Sequence, residues 1–155
     1  MKYILLNFIL FTSILFSESL ESIKSMYTSK QYQEADIAIQ RLIVSNDVDA
    51  PFFELASKIS LKLDDLTLAN NYINKAIELD PTNDDYRSFW DNLNKIRSSL
   101  NEAQKSYDNG FIDESLDSYD ILTKKYSEFA LGFYNYGMIY YRIEDYDNAV
   151  INLKQ

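Results

Sequence analysis

The side chains in this sequence that could support acid–base or metal chemistry are carboxylates. The chain of 155 residues has 24 Asp and Glu but no His and no Cys, which removes imidazole bases, thiol nucleophiles and zinc clusters. An enzyme would therefore have to rest on paired carboxylates. The acidic residues group at 80–85 (DPTNDD), at Asp64-Asp65 and at Glu144-Asp145. The first group lacks the glycine and the distant glutamate of a calcium loop, and no spacing within the three groups singles out a catalytic pair.

These acidic groups lie where helices are predicted to end and begin, and we interpret them as turn and cap residues. The group at 80–85 separates two apolar segments, and its proline stops the preceding helix. Asn83 is suited to cap the helix that follows it, as Asp49 is for the helix that begins near Ala50 and Pro51. The sequence therefore predicts no catalytic residue, no metal site and no cofactor, and it indicates that the protein is not an enzyme.

Apolar residues recur at helical spacing along most of the chain. The sequence is 46% hydrophobic and 15% aromatic, with only 3 Gly and 2 Pro, a composition that predicts one packed all-α domain rather than many short strands. The longest uninterrupted pattern runs from Asp84 to Asn109, where no Gly or Pro occurs before Gly110. We expect one long helix near 84–109, with Gly110 in the left-handed conformation that ends it.

Pairs of helices recur with a period of 34 residues in the first half of the chain. The positions occupied by Tyr32, Ala35, Ile39 and Leu42 return as Leu66, Ala69, Ile73 and Ala76. Small side chains at such positions let two antiparallel helices approach closely. The period then breaks, because the next small residue of this kind, Ser115, lies 46 residues after Ala69, which leaves 12 extra residues. The predicted long helix occupies this break.

The C-terminal segment, Phe129 to Gln155, carries the most specific pattern. Its pattern residues are Phe133, Tyr136, Gly137 and Tyr140, followed by Tyr146, Ala149 and Leu153. This spacing resembles the tetratricopeptide repeat, W-x2-L-G-x2-Y followed by A-x3-F in a unit of about 34 residues. The resemblance implies an all-α solenoid of about four helical hairpins, wound as a right-handed superhelix. The last repeat stops one residue short of the next expected small residue, so we expect the natural chain to continue beyond Gln155.

The repeats divide the predicted domain into three parts. Repeats one and two are expected at 20–82. The long helix at 83–109 combines a connecting helix with the first helix of repeat three, and 110–155 holds the rest of repeat three and an incomplete repeat four.

Residues 1–19 precede the repeats as a predicted signal peptide. Met1-Lys2 leads into a largely apolar run of 14 residues at 3–16, and Ser17 and Ser19 are the small residues expected before cleavage after Ser19. The alternative is an uncleaved inner-membrane anchor through residues 3–16, although such a helix spans only about 21 Å of a ~30 Å hydrocarbon core. We expect an exported protein, periplasmic or secreted, with no membrane association once the leader is removed.

The resemblance also implies a binding face, the concave surface lined by the first helix of each hairpin. The positions carried over to this sequence are Lys58, Lys62, Arg97, Gln104, Leu131, Tyr134, Met138, Tyr141 and Arg142. Tyr134, Met138 and Tyr141 follow one another at i, i+4 and i+7, which offers amphipathic rings and an adaptable thioether. The same side chains could instead pack against a neighbouring repeat. Glu54 and Leu100 stand where some family members carry the Lys of a clamp for a C-terminal carboxylate, so that clamp is not expected.

The charge of the chain narrows the class of partner. The net charge is −9 and the isoelectric point is about 4.4, so the long-range field repels phosphate backbones and makes nucleic acid a poor partner. We expect a non-catalytic scaffold or adaptor of the cell envelope that binds a peptide or partner protein in the concave groove. The alternatives are the N-terminal docking module of a longer envelope enzyme or secretion component truncated at Gln155, and, with an uncleaved leader, a membrane-tethered assembly factor. The sequence does not indicate the partner's identity or the oligomeric state.

Overall fold

A computed structural model describes residues 19–44 and 48–155, so the predicted signal peptide, apart from Ser19, lies outside the described residues. In these two ranges the chain forms eight α-helices. They are α1 (Leu20–Thr28), α2 (Tyr32–Val44), α3 (Ala50–Lys62), α4 (Leu66–Leu79), α5 (Asp84–Asp108), α6 (Ile112–Lys125), α7 (Ala130–Arg142) and α8 (Tyr146–Leu153). No helix within these ranges is long and apolar enough to span a membrane.

The helices pack as consecutive hairpins, α1 with α2, α3 with α4, α5 with α6 and α7 with α8, and each hairpin contacts the next. This arrangement confirms the predicted all-α hairpin solenoid. The long helix expected near 84–109 is present as α5, which has 25 residues. It joins the two hydrophobic clusters of the protein, because Tyr86 and Leu93 pack with α1–α4 while Ile96, Leu100 and Ala103 pack with α6 and α7.

The turn inside each hairpin places one residue in the left-handed region. The φ angles are 60° at Lys30, 60° at Asp64, 83° at Gly110 and 65° at Glu144. Each of these residues donates its N–H to the carbonyl three positions back, and the following residue donates to the carbonyl five positions back. The four turns are therefore Schellman motifs, and only one of them uses glycine.

In three hairpins the helices cross at a pair of small residues 12 positions apart. Ser57 Oγ donates to the carbonyl of Ala69 at 2.5 Å, and Ser115 Oγ donates to the carbonyl of Ala103 at 2.8 Å. The serine therefore lies on the first helix of one hairpin and on the second helix of the next. In the last hairpin a Cβ added at Gly137 would lie 2.7 Å from Leu153 Cγ and 3.2 Å from the Ala149 carbonyl oxygen. A larger residue than glycine at this crossing would require the Leu153 side chain to move.

The acidic groups act as helix caps, as the sequence interpretation expected. Asp49, Asp65, Asn83 and Asp145 each accept a hydrogen bond from a backbone N–H in the first turn of the helix they precede. Each cap satisfies a donor that has no partner within the helix.

Helix α7 receives its cap from another hairpin. Its own N-cap residue, Phe129, makes no side-chain hydrogen bond, but the Leu131 N–H donates to Asp64 Oδ1 at 3.1 Å. Asp64 lies in the turn between α3 and α4, so the C-terminal end of α3 meets the N-terminal end of α7. Both helices line grooves with α5.

Candidate functional site

A small groove between α5 and α7 brings together four of the nine predicted binding residues. Gln104 comes from α5, and Tyr134, Met138 and Arg142 come from α7, where spacings of four residues place them on one side of the helix. Asn135 and Ile139 complete the lining of a cavity of about 90 Å³. We refer to this feature as the α5–α7 groove.

The polar groups of the α5–α7 groove are held by neighbours on α5. The Arg142 guanidinium lies over the ring of Tyr107, 5.5 Å from its centroid, which is a cation–π arrangement. Gln104 Nε2 donates to Asp108 Oδ1 at 2.8 Å. Tyr134 is 54% exposed, so its ring presents a large contact surface to solvent. The groove thus combines an exposed ring, a thioether and an ordered positive charge.

Buried tyrosines form the layer behind this groove. Tyr119 is fully buried and stacks on Tyr136 with ring centroids 6.0 Å apart. Burial raises the pKa of the Tyr119 hydroxyl, which makes no hydrogen bond within the described ranges. Burial also raises the pKa of Tyr136, and the neighbouring Tyr140 hydroxyl, 3.2 Å away, adds to that rise. Both phenols are therefore neutral at physiological pH, and they provide an uncharged support for α7.

Two predicted residues on α7 lie outside the α5–α7 groove. Tyr141 is 56% exposed, but its ring packs edge-on against Tyr146 of α8, with centroids 5.7 Å apart. Leu131 is partly buried against the second hydrophobic cluster, next to the cap that Asp64 supplies. The structure therefore separates Tyr141 from Tyr134 and Met138, which the sequence spacing had grouped together.

The predicted residues nearer the N-terminus already have partners. Arg97 Nη2 donates to the Leu66 carbonyl at 3.5 Å, a long contact. Lys58 pairs with Glu54 at 2.6 Å and lies 6.0 Å from the centroid of Phe89. Lys58 also lines an open cleft of about 560 Å³ between α3 and α5, which we call the α3–α5 cleft.

Lys62 pairs with Glu128 of the α6–α7 turn. Burial lowers the pKa of Lys62, but the hydrogen bond and charge of Glu128 outweigh this effect and raise it overall. The same contact lowers the pKa of Glu128. The ion pair lies beside the Asp64 cap, so two polar contacts join the end of α3 to the start of α7.

A further cleft occurs where these helices meet, and Lys62 is the one predicted binding residue in its lining. It has a volume of about 230 Å³, and we call it the junction cleft. Its lining comes from the end of α3, the middle of α5, the last residue of α6 and the α6–α7 turn, and comprises Leu61, Lys62, Asn92, Ile96, Lys125, Tyr126, Ser127, Glu128 and Phe129. The break of 12 residues in the repeat period was the one signal in the sequence that an irregular junction would form here.

No group of three or more acidic, His or Cys side chains within the described ranges is arranged to hold a metal ion. The site residues are thus aromatic, aliphatic, amide and basic side chains that line open grooves. Such grooves are suited to contacts with another polypeptide.

Comparison with known proteins shows a similarity to one repeat family over part of this fold. The tetratricopeptide repeat family model matches residues 50–83 and 131–155, which include α3, α4, α7 and α8. Together these segments make up 59 of the 155 residues. None of the curated proteins matches the sequence.

Among solved structures, the chain is similar to the crystal structure of YrrB, described as a TPR protein with an unusual peptide-binding site. The sequence identity is 20%, the TM-score is 0.42, and the alignment covers 86% of this chain. The chain spans 62% of the length of YrrB.

Proposed function

We propose that the protein is a non-catalytic interaction scaffold that binds an extended segment of a partner protein in the α5–α7 groove. The observation that carries this proposal is the convergence of Gln104, Tyr134, Met138 and Arg142 on one groove. The hairpin solenoid and the two matched repeats support the same class of function, since stacked helical repeats present extended binding surfaces.

The chemistry of the groove favours a polypeptide ligand over a small molecule. The cavity of about 90 Å³ is smaller than an enclosed drug site, and it lies on a surface with exposed rings on the same helix. Aromatic rings, methionine and arginine are the side chains that contribute most to protein interfaces. The amides of Gln104 and Asn135 add hydrogen-bonding groups suited to a peptide backbone.

Selection from a random-peptide display library against the purified full chain tests this proposal. We expect enriched peptides whose affinity falls about tenfold or more in the double variant Tyr134→Ala, Met138→Ala, because two central contacts are lost. Ile121→Ala removes an exposed apolar side chain from α6 and serves as the matched control. Far-ultraviolet circular dichroism checks that helicity is retained. Enriched peptides that bind the double variant as well as the unaltered chain would sink the proposal.

We also propose that the scaffold acts outside the cytoplasm, in the periplasm or the medium. The charged start, the apolar run at 3–16 and the small residues before position 20 support this location. Fractionation of source cells with intact-mass measurement tests it. A cleaved leader gives an exported species about 2 kDa lighter than the chain with its leader, whereas an uncleaved cytoplasmic species would contradict the location.

A further inference from the structure

The junction cleft combines an apolar floor with a basic rim. Leu61, Ile96 and Phe129 contribute the floor from three different segments, and both Ile96 and Phe129 belong to the second hydrophobic cluster. Lys62 and Lys125 lie at its edge. The cleft is separate from the α5–α7 groove, with which it shares no lining residue.

The lysines around the cleft differ in whether their charge is neutralised. Lys62 is paired with Glu128. Lys125 lies 5.2 Å from the ring centroid of Tyr126 and has no ion pair among the described residues. Its sequence neighbour Lys124, by contrast, pairs with Asp120 at 2.6 Å. The rim therefore keeps one ammonium group without a carboxylate, on a chain whose net charge is −9.

The cleft continues along α5 toward a second such lysine. Asn92 lines both the junction cleft and the α3–α5 cleft, so the two are adjacent. Lys95 lines the α3–α5 cleft and has no ion pair among the described residues. Of the carboxylates in that cleft, Glu54 is paired with Lys58, and Asp85 lies about 15 Å from Lys95 along the helix axis. The linings of the two clefts together carry four lysines and three carboxylates, and two of those lysines, Lys125 and Lys95, are without an ion pair among the described residues.

We propose that the junction cleft is a second binding site, which takes one large apolar side chain of an extended acidic peptide whose carboxylates pair with Lys125 and Lys95. This inference rests on the proposed function only in that the partner is a polypeptide. The cleft of about 230 Å³ has the size for this, since a cavity of ~150 Å³ holds a benzene-sized group. Acidic residues on either side of this apolar side chain supply carboxylates that pair with Lys125 and Lys95.

Three synthetic peptide pools test the proposal against the full chain. Each pool has Phe, Leu, Trp or Met at its centre, and the flanking residues are acidic, neutral or basic. We expect the acidic pool to bind tightest, with amide chemical-shift changes at Leu61, Ile96 and Phe129. Lys125→Ala should weaken that binding by about 1.5-fold to fivefold, as expected for one lost surface ion pair. Lys124→Ala, at the adjacent position, is the matched control and should leave the affinity unchanged.

Outcomes that overturn the proposal are distinct from those that overturn the groove function. Equal binding of the three pools, no binding by the acidic pool, or an unchanged affinity in Lys125→Ala each overturns the second site. Shift changes confined to Tyr134 and Met138 would assign the acidic peptide to the α5–α7 groove and also overturn it. The Tyr134→Ala, Met138→Ala variant separates the two proposals, because it should weaken binding in the groove about tenfold or more and leave the affinity for the acidic pool unchanged.

Discussion

The cap that Asp64 supplies to α7 can be tested by removing its side chain with Asp64→Gly. Glycine keeps the φ of 60° without strain, so the substitution removes the hydrogen bond to Leu131 N–H and the charge at the helix N-terminus. Loss of a side-chain cap costs about 0.5–2 kcal/mol, and loss of a negative charge at this end costs about 0.3–1 kcal/mol. Relief of the left-handed conformation returns about 1–2 kcal/mol, and the greater freedom of glycine in the unfolded chain costs about 0.4–1 kcal/mol. We therefore expect a small net change in global stability.

A matched variant isolates the cap from the backbone effect. Glu144→Gly replaces the residue with φ 65° in the α7–α8 turn, where no other helix is capped. The relief of the left-handed backbone and the added freedom of the unfolded chain partly cancel there, so this variant should leave stability unchanged or raise it by up to about 1.5 kcal/mol. Asp64→Gly loses the cap and its charge as well, and should be about 1–3 kcal/mol less stable than Glu144→Gly. Urea denaturation measures this difference. Hydrogen exchange measures the effect at the contact itself. The Leu131 amide should exchange about fivefold faster in Asp64→Gly than in the unaltered chain, and its rate should not change in Glu144→Gly.

Two results would refute the reasoning about this contact. Equal urea midpoints for Asp64→Gly and Glu144→Gly would show that the Asp64 carboxylate contributes nothing to the fold. Unchanged exchange at the Leu131 amide would show that its donor finds another acceptor, and that α3 and α7 are not joined as described.

Three further predictions concern the helices that support the grooves. Gly110→Ala should destabilise the protein by about 1–2 kcal/mol through its left-handed backbone alone, because nothing lies within 4 Å of the added Cβ; a chemical denaturation curve checks this. Gly137→Ala should destabilise the protein by about 1–3 kcal/mol because it crowds the contact between α7 and α8. Gly132→Ala should be tolerated, because the nearest atom to its added Cβ is 3.4 Å away. Equal shifts in the melting temperatures of the two variants would contradict this prediction. Burial raises the pKa of Tyr119 and Tyr136 above the ordinary value of 10.0, so stability should be fully present below pH 10 and fall as the pH rises further. Urea midpoints between about pH 8 and pH 11 check the sign, and Tyr119→Phe should flatten the alkaline decline.

Helix positions could be predicted from the sequence because they depend on local chemistry. The length of α5 follows from the absence of Gly and Pro between Asp84 and Asn109, and Asp49 and Asn83 cap the helices expected of them. The left-handed residues Lys30 and Glu144 could not be predicted, since their side chains are ordinary for helices. There the hairpin packing overrides the local preference.

Less of the candidate sites could be predicted from the sequence, because they depend on contacts between segments that are far apart in the chain. The spacing of Tyr134 and Met138 placed them on one side of α7, but the same spacing also included Tyr141, which packs on α8. The contact between Asp64 and Leu131 joins residues 67 positions apart, and no periodic pattern encodes it. The junction cleft depends on that contact and on the length of α5, so it becomes visible only in three dimensions.

Helix α5 also sets the distance between the junction cleft and the α5–α7 groove, and therefore the length of any ligand that occupies both. Asn92, at the junction cleft, and Gln104, at the α5–α7 groove, are separated by 12 residues of one helix, or about 18 Å at the rise of an α-helix. An extended chain advances about 3.3 Å per residue, so about six residues must separate the two anchors. A tether shorter than this engages only one site, whereas one that just spans the interval gains the most from the raised effective concentration.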